Sequence, residues 1–452
     1  MLVEKLRELG QEHIARLLSS EADPVSRRQI AGDLEGVDLD LAGRLITGSG
    51  IYSPPGGEVN PAEVITATFA SSGEASRYVE HGIKLLRQGN VAALVVAGGQ
   101  GSRLGIEAPK GMVEVTPSQG KTLFTLFAEK ILALERRYRG TIPWFIMTSR
   151  QNDGPTREYF HRNRFFGLGE KNVHFFVQGM LPSVTEEGKF LVSETGGLFM
   201  NPDGHGGTFN ALRRSGSLNR MKDLGVEEIF YFQVDNPLVR ICDPLFIGLH
   251  NLNNAQMSSK IVRKVSFEEK VGVIVRQAGR TCLLEYSDMG DKVRYARDEA
   301  GNMLHWAGNL AIHMIRRDFA EDLTEQGTRL PYHRARKKIV ARGPDGTVAE
   351  VQGIKFETFL FDALPLAERS ITLEVIREEE FAPVKNLTGM DSLESSKLLQ
   401  TGLHLSWLRR LGIEIADGVR VEVSPLFALD FDELRSKADR LPRSITQDTY
   451  FG

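Results

Sequence analysis

The stretch Val91–Met112 constrains this chain more than any other. It reads Val-Ala-Ala-Leu-Val-Val-Ala-Gly-Gly-Gln-Gly-Ser-Arg-Leu-Gly-Ile-Glu-Ala-Pro-Lys-Gly-Met. The apolar run Val91–Ala97 suits a strand buried on both faces, as in a parallel sheet covered by helices. It stops abruptly at glycines. Gly98, Gly99 and Gly101 leave the backbone bare, so its N–H groups can come close to a phosphate. Arg103 and Lys110 add fixed positive charge beside that loop. Strand, glycine loop and two cations together imply a polyphosphate ligand at a strand end.

Two common phosphate loops are excluded by spacing. The dinucleotide pattern G-x-G-x-x-G would start at Gly99 and needs glycine where Leu104 stands. It also wants an acid at the end of the second strand, and the candidate Trp144–Met147 runs into Thr148-Ser149. Gly120-Lys121-Thr122 imitates the end of a Walker A loop, but the upstream glycine is replaced by Val115. Gly120 reads instead as a turn before a helix over Thr122–Tyr138.

The 452 residues leave room for more than one domain. A nicotinamide dehydrogenase is disfavoured by the missing glycine spacing. A net charge of −3 argues against a broad nucleic-acid surface, so a polyanionic substrate must be met by locally placed cations. Only Cys242 and Cys282 are present, which implies no disulfide framework and a reducing, cytoplasmic setting. The N-terminus is charged and lacks the apolar core of a signal peptide, and no apolar run approaches the ~20 residues of a membrane span. No membrane partner is expected. The sequence does not speak to the number of subunits.

Along the chain, residues 1–48 carry helical patterning, with a second helix expected near 22–34 and a linker over 48–60. A helix over Glu74–Gln88 delivers the chain to the first strand. Residues 91–240 alternate strand and helix, with strands expected at Val91–Ala97, Trp144–Thr148, Val173–Val177 and Ile229–Val234. Shorter β-runs between 257 and 380 would extend the sheet. The basic run Arg334–Lys338 reads as a solvated helix face rather than a nucleic-acid patch. A long helix over 391–411 is expected to start with Asp391 as its cap. The fold class is α/β: a mixed, mainly parallel sheet flanked by helices. The expected division is an N-terminal helical segment (1–88), a catalytic domain (89–390) and a C-terminal helix with a small α/β module (391–452).

The loop motif with Pro109-Lys110-Gly111 resembles the signature of nucleotide-sugar pyrophosphorylases. More specifically, it is similar to the eukaryotic-type UDP-N-acetylglucosamine pyrophosphorylases and their UDP-sugar relatives. The likeness continues through Phe175–Pro182, Asn201–Gly207, Phe232–Asn236, Leu284–Ser287, Ala307–Asn309, Lys355–Asp362 and Phe381–Asn386, in the family's order. It implies a nucleotidyltransferase of the nucleotide-diphospho-sugar type. The implied substrates are UTP and a sugar 1-phosphate, most specifically N-acetylglucosamine 1-phosphate. The products are the UDP-sugar and pyrophosphate, and Mg²⁺ is the implied cofactor. A UDP-glucose or broad UDP-sugar enzyme is the alternative. A non-catalytic nucleotide-sugar binding protein is the alternative of another class.

The resemblance also implies roles. Arg103 would neutralise the leaving pyrophosphate, Lys110 would bridge the α-phosphate region, and Lys385 would fold back onto the phosphates. On the sequence alone, Lys385 is an ordinary solvated lysine. Gly98, Gly99, Gly101 and Gln178 would hold the nucleotide, with Gln178 on the uracil edge; unaided, Gln178 is a strand-end amide. Gly204 and His205 would line the junction of nucleotide and sugar. The animal N-acetylglucosamine enzymes carry asparagine where His205 stands. Histidine is typical of the glucose-type relatives, which follow it with an acid where this chain has Gly207. Asp235, at a strand end, suits a nucleotide-bound Mg²⁺, and no second metal ligand stands out. Glu285, Tyr286, Asn309, Phe359 and Phe361 would form the sugar pocket, the two phenylalanines lying on one side of a strand.

Overall fold

The computed structural model describes residues 2–19, 24–54, 56–342 and 347–452. The chain forms two compact units, each assembled from separated stretches. One comprises Met1–Pro55, Gln178–Arg214 and Leu323–Ala363; the other comprises Gly56–Val177, Ser215–Asp322 and Leu364–Gly452. The boundaries expected at 88 and 390 both fall inside the second unit.

The second unit is built on a ten-stranded mixed sheet. Its strands are β1 (Val59–Pro61), β2 (Val91–Val96), β3 (Trp144–Thr148), β4 (Val173–Val177), β5 (Glu228–Gln233), β6 (Met257–Arg263), β7 (Val273–Gln277), β8 (Arg280–Leu284), β9 (Ala307–Arg316) and β10 (Thr372–Glu374). The block β5-β2-β3-β4 is parallel throughout. β2 lies inside it, with Leu94 opposite Phe145 on one side and Tyr231 on the other. That position explains the unbroken apolar run: Val91–Val95 are buried on both faces. Antiparallel β9 then joins β5, and β6 and β7 pair with β9, so the middle of the chain extends the sheet as expected.

Helices α1 (Ala75–Gln88), α2 (Leu123–Tyr138) and α3 (Pro244–Leu252) contribute to the main core of this unit. Thr122 caps α2 by accepting from the Thr125 N–H. A smaller core joins α4 (Leu393–Arg410) to the C-terminal module, where Val421–Val423 pairs in parallel with Thr449–Phe451. The cap of α4 is Ser392, not Asp391. Ser392 and Ser395 form a reciprocal capping box, while Asp391 takes a left-handed φ of 57° one residue outside it.

In the first unit, the helices Leu2–Glu8, Glu12–Ser19, Pro24–Leu34 and Leu39–Ile46 share a core with Leu181, Phe190, Ile354 and Phe356. Residues 22 and 23 of the helix expected there, and Pro55 of the linker, lie outside the described residues. The basic run Arg334–Lys338 is not helical. It sits in the strand His333–Arg342, paired antiparallel with Val348–Glu357. Its charges still face solvent, as a half-exposed strand allows, with Lys337 and Lys338 both exposed. Among the described residues, no helix is long and apolar enough to cross a membrane.

Candidate active site

The glycine loop follows β2 directly. Backbone hydrogen bonds close it, among them Gly101 N–H to Ala108 O (2.9 Å), Ile106 N–H to Gly101 O (3.2 Å) and Lys110 N–H to Gly99 O (3.2 Å). A side chain on Gly101 would meet the Ile106 carbonyl at 3.0 Å, whereas one on Gly99 would meet nothing within 4 Å. Gly101 therefore serves the loop's own packing. Gly99 is bare on the open side, beside the half-buried Gly98. Buried Asn152 anchors the loop from beneath, donating to Ala97 O (2.9 Å) and Gly99 O (3.3 Å). Sequence reasoning missed it, because nothing local marks an asparagine at a helix start as reaching across to another strand's loop.

Arg103 is exposed on the short turn Ser102–Leu104. Lys110 is largely buried, its Nζ 3.8 Å from the Asp235 carboxylate just beyond β5. Burial lowers the lysine's proton affinity; Asp235 opposes this, while Lys385 and Arg103 push the same way as burial. Charges from three distant stretches of sequence thus gather here: Arg103, Lys110 and Lys385 against the carboxylates of Asp235 and of Asp391, which feels both Lys385 and Asp235. Lys385 arrives because the Val384 N–H donates to Asp235 O at 2.8 Å. A cluster in which cations outnumber carboxylates, set beside a bare glycine loop, attracts polyphosphate.

Glu285 and Asn309 of the same unit meet at Gly272. Asn309 N–H donates to Gly272 O, and a Glu285 carboxylate oxygen would lie 3.2 Å from a side chain at 272. The Asn309 amide oxygen accepts from Ala311 N–H at 3.2 Å, inside a bulge of β9. Tyr286 is largely exposed next to Glu285.

In the first unit, Gly204 has a φ of +85°, and a side chain there would run into the Thr358 carbonyl. A side chain at Gly207 would collide with the Asp203 carboxylate, which explains the absence of an acid at 207. His205 accepts the Leu360 N–H at Nδ1 (3.1 Å), so its proton sits on Nε2. Burial, with His333 nearby, lowers its pKa to about 4. It is a neutral ring at ordinary pH, able to donate but not to act as an acid. Phe359 and Phe361 do not lie on a strand. The strand ends at Glu357, Phe359 follows in the turn, and Phe361 is in the 3-10 helix Leu360–Leu366. Their rings nonetheless meet at 5.2 Å, and each lies 5.4 Å from His205. His333, bonded to Asp362 at 2.8 Å, also packs on Phe359 at 4.3 Å. Gln178 is buried immediately after the end of β4.

A mixed α/β sheet with a glycine loop after an inner strand, and cations gathered beyond the carboxyl ends of its parallel strands, is the architecture of a nucleotidyltransferase. The chain belongs to the UTP–glucose-1-phosphate uridylyltransferase family, whose model matches residues 68–422. It is 36% identical to UDP-N-acetylglucosamine diphosphorylase 1 of Arabidopsis thaliana, over 94% of this chain and 88% of that one. Two solved structures resemble it. One is a putative UDP-N-acetylglucosamine pyrophosphorylase from Entamoeba histolytica (TM-score 0.79, 31% identity, 87% of this chain and 100% of that one). The other is the uridine diphosphate N-acetylglucosamine pyrophosphorylase of Trypanosoma brucei (TM-score 0.84, 26% identity, 100% and 97%).

Proposed function

We propose that this protein forms UDP-N-acetylglucosamine and pyrophosphate from UTP and N-acetylglucosamine 1-phosphate. The observation that carries the reading is the cluster of Arg103, Lys110, Lys385 and Asp235 over the glycine loop. The sugar follows from the relatives, because the Arabidopsis protein is named for N-acetylglucosamine. A phosphate oxygen of the sugar 1-phosphate attacks the α-phosphorus of UTP in line. The bond from that phosphorus to the bridging β-oxygen breaks, and pyrophosphate leaves with the electron pair. No covalent enzyme intermediate is needed. Lys110 steadies charge on the α-phosphoryl oxygens, Arg103 neutralises the leaving pyrophosphate, and Lys385 grips the phosphates, so the two anions can approach despite their repulsion. In the second unit, Gly98 and Gly99 hold the nucleotide, Gly101 closes their loop, and Glu285, Tyr286 and Asn309 recognise the sugar. For the first unit, the family resemblance implies nucleotide contact at Gln178, Gly204 and His205 and sugar contact at Phe359 and Phe361.

Family membership implies a divalent-metal-dependent reaction. Among the described residues, no group of three or more His, Cys, Asp or Glu side chains could hold a metal alone. Mg²⁺ commonly takes one or two carboxylates and completes its shell with waters and substrate phosphates, so Asp235 fits a metal that enters with the nucleotide. When bound, the metal withdraws charge from the phosphate oxygens.

A second reading, glucose 1-phosphate as the sugar, is favoured by His205 and by the description of the family model. Competition between the two sugar phosphates for limiting UTP decides between them. A pocket that packs an acetyl methyl and bonds its amide loses about 1 kcal/mol and about 1–3 kcal/mol with glucose. The expected preference is therefore on the order of 10–10³-fold in kcat/KM for N-acetylglucosamine 1-phosphate. An excess of UDP-glucose establishes the second reading, and equal yields establish a broad UDP-sugar enzyme.

A further inference from the structure

Lys385 lies just past a segment fixed at every second residue. Asn236, buried directly after Asp235, donates from its amide nitrogen to Glu380 O at 2.6 Å. Its amide oxygen accepts the Ala382 N–H at 3.1 Å and the Leu238 N–H at 3.2 Å. The Ala382 carbonyl accepts from Ser396 Oγ of α4 at 2.6 Å, and the Val384 N–H bonds Asp235 O at 2.8 Å. Beneath this strap, both oxygens of buried Glu380 accept from Lys260 Nζ, at 2.9 and 2.7 Å. Lys260, on β6, is wholly buried and also contacts the Asp243 carboxylate at 2.8 Å. Asp243 in turn caps α3 through Leu245 N–H.

Buried ion clusters are costly to desolvate, and apolar replacements of the same volume often stabilise a fold as well or better. Such a cluster under an exposed functional lysine therefore asks for a reason other than stability. We propose that Asn236 and the Lys260–Glu380 pair are positioning residues that hold the strap 380–384, and thereby Lys385, against Asp235 and Lys110. This rests on the reading of Lys385 as a phosphate ligand. Asn236 itself touches no reacting atom. Its carboxamide replaces the backbone partners that the irregular strap lacks, joining the end of β5 to a segment about 150 residues later in the chain.

A double-mutant cycle tests it, with thermal unfolding measured alongside. Asn236→Ala alone should lower kcat/KM by about 10–100-fold, because a slightly misplaced phosphate ligand loses much of its effect. In the Lys385→Ala background the same change should cost less than about threefold, because the group it positions is already gone. An equal loss in both backgrounds overturns the proposal and gives Asn236 a general structural role. So does normal activity in Asn236→Ala. If Lys385→Ala itself turns over normally, the reading of Lys385 fails first and the positioning role falls with it. Should Asn236→Ala not fold, Glu380→Gln carries the same cycle, because it keeps the shape of the strap while weakening its hold on Lys260.

Discussion

Lys110 is held where three influences on its charge meet: burial, the Asp235 carboxylate and two other cations. Removing it should leave the fold intact, since it begins a short turn and its side chain contributes to no core. Lys110→Ala is expected to lose about 10²-fold or more in kcat, the scale of a lost oxyanion-type donor. A correctly folded variant with near-normal kcat would remove Lys110 from the mechanism. Asp235 gives a companion test: chelation with EDTA should abolish turnover and added Mg²⁺ should restore it, whereas full activity in metal-free buffer would refute the metal's role. At this scale Arg103 and Lys110 stood out in the sequence, because glycine spacing and cation placement are local signals, whereas Lys385 was named only through the family resemblance. Asn152 and Asn236 did not stand out. Their work is done by amide contacts to backbone from elsewhere in the chain, and no spacing rule encodes such contacts. Phe359 and Phe361 show the converse. Their alternation suggested a strand, yet their rings meet through a turn and a 3-10 helix.

Elements were legible where one strong local signal dominated. The strand Val91–Val96 and the helix from Thr122 are such cases, one marked by an unbroken apolar run and the other by the turn at Gly120 before it. Two readings failed where signals competed. Asp391 and Ser392 are both good caps, and the chain's left-handed turn at 391 leaves the cap to Ser392. The run Arg334–Lys338 has no apolar period of its own, so its long antiparallel partner sets its structure. The C-terminal module also has a task that its sequence did not show. Buried Glu422, on the strand Val421–Val423, accepts from Ser118 N–H (2.8 Å), Ser118 Oγ (2.9 Å) and Gln119 N–H (3.0 Å). It thereby pins the loop that leads from the Lys110 turn to α2. Glu422→Ala should destabilise the protein by about 2–3 kcal/mol, because charged hydrogen bonds are lost and their donors are left unpaired. Urea unfolding measures this, and a loss below about 0.5 kcal/mol, the scale of an ordinary surface change, would show that the clamp is idle.

Across the whole molecule, the buried titrating groups predict how stability follows pH. Burial lowers the pKa of His404 to about 4, in the core beneath the C-terminal module, and that of His205 to a similar value. For a base lowered in this way, the unfolded chain takes up a proton below about 6.5 that the native state refuses. The contribution of these histidines is therefore full above pH 6.5 and declines as the pH falls toward 4. Asp203 works in the opposite sense. Burial, opposed by Arg214, raises its pKa to about 6, so the native state keeps a proton that the unfolded chain releases above about 3.8. Its cost builds as the pH rises from about 3.8 and is complete above about 6. In the first unit His205 and Asp203 thus partly offset each other between pH 4 and 6, whereas His404 lies in the second unit, remote from that pair in sequence. Replacing His404 by Gln should flatten the acid side of the stability curve by up to about 3 kcal/mol, the ceiling set by its shift. Asp203→Asn should stabilise the protein at pH 7 and make no difference at pH 4, because the native carboxyl is already neutral there. Urea unfolding at pH 4, 5.5 and 7 separates the two effects. If Asp203→Asn shifts stability equally at every pH, its effect comes from packing against Gly179 and Gly207 rather than from charge. If His404→Gln leaves the acid limb unchanged, the loss below pH 6.5 belongs to other groups.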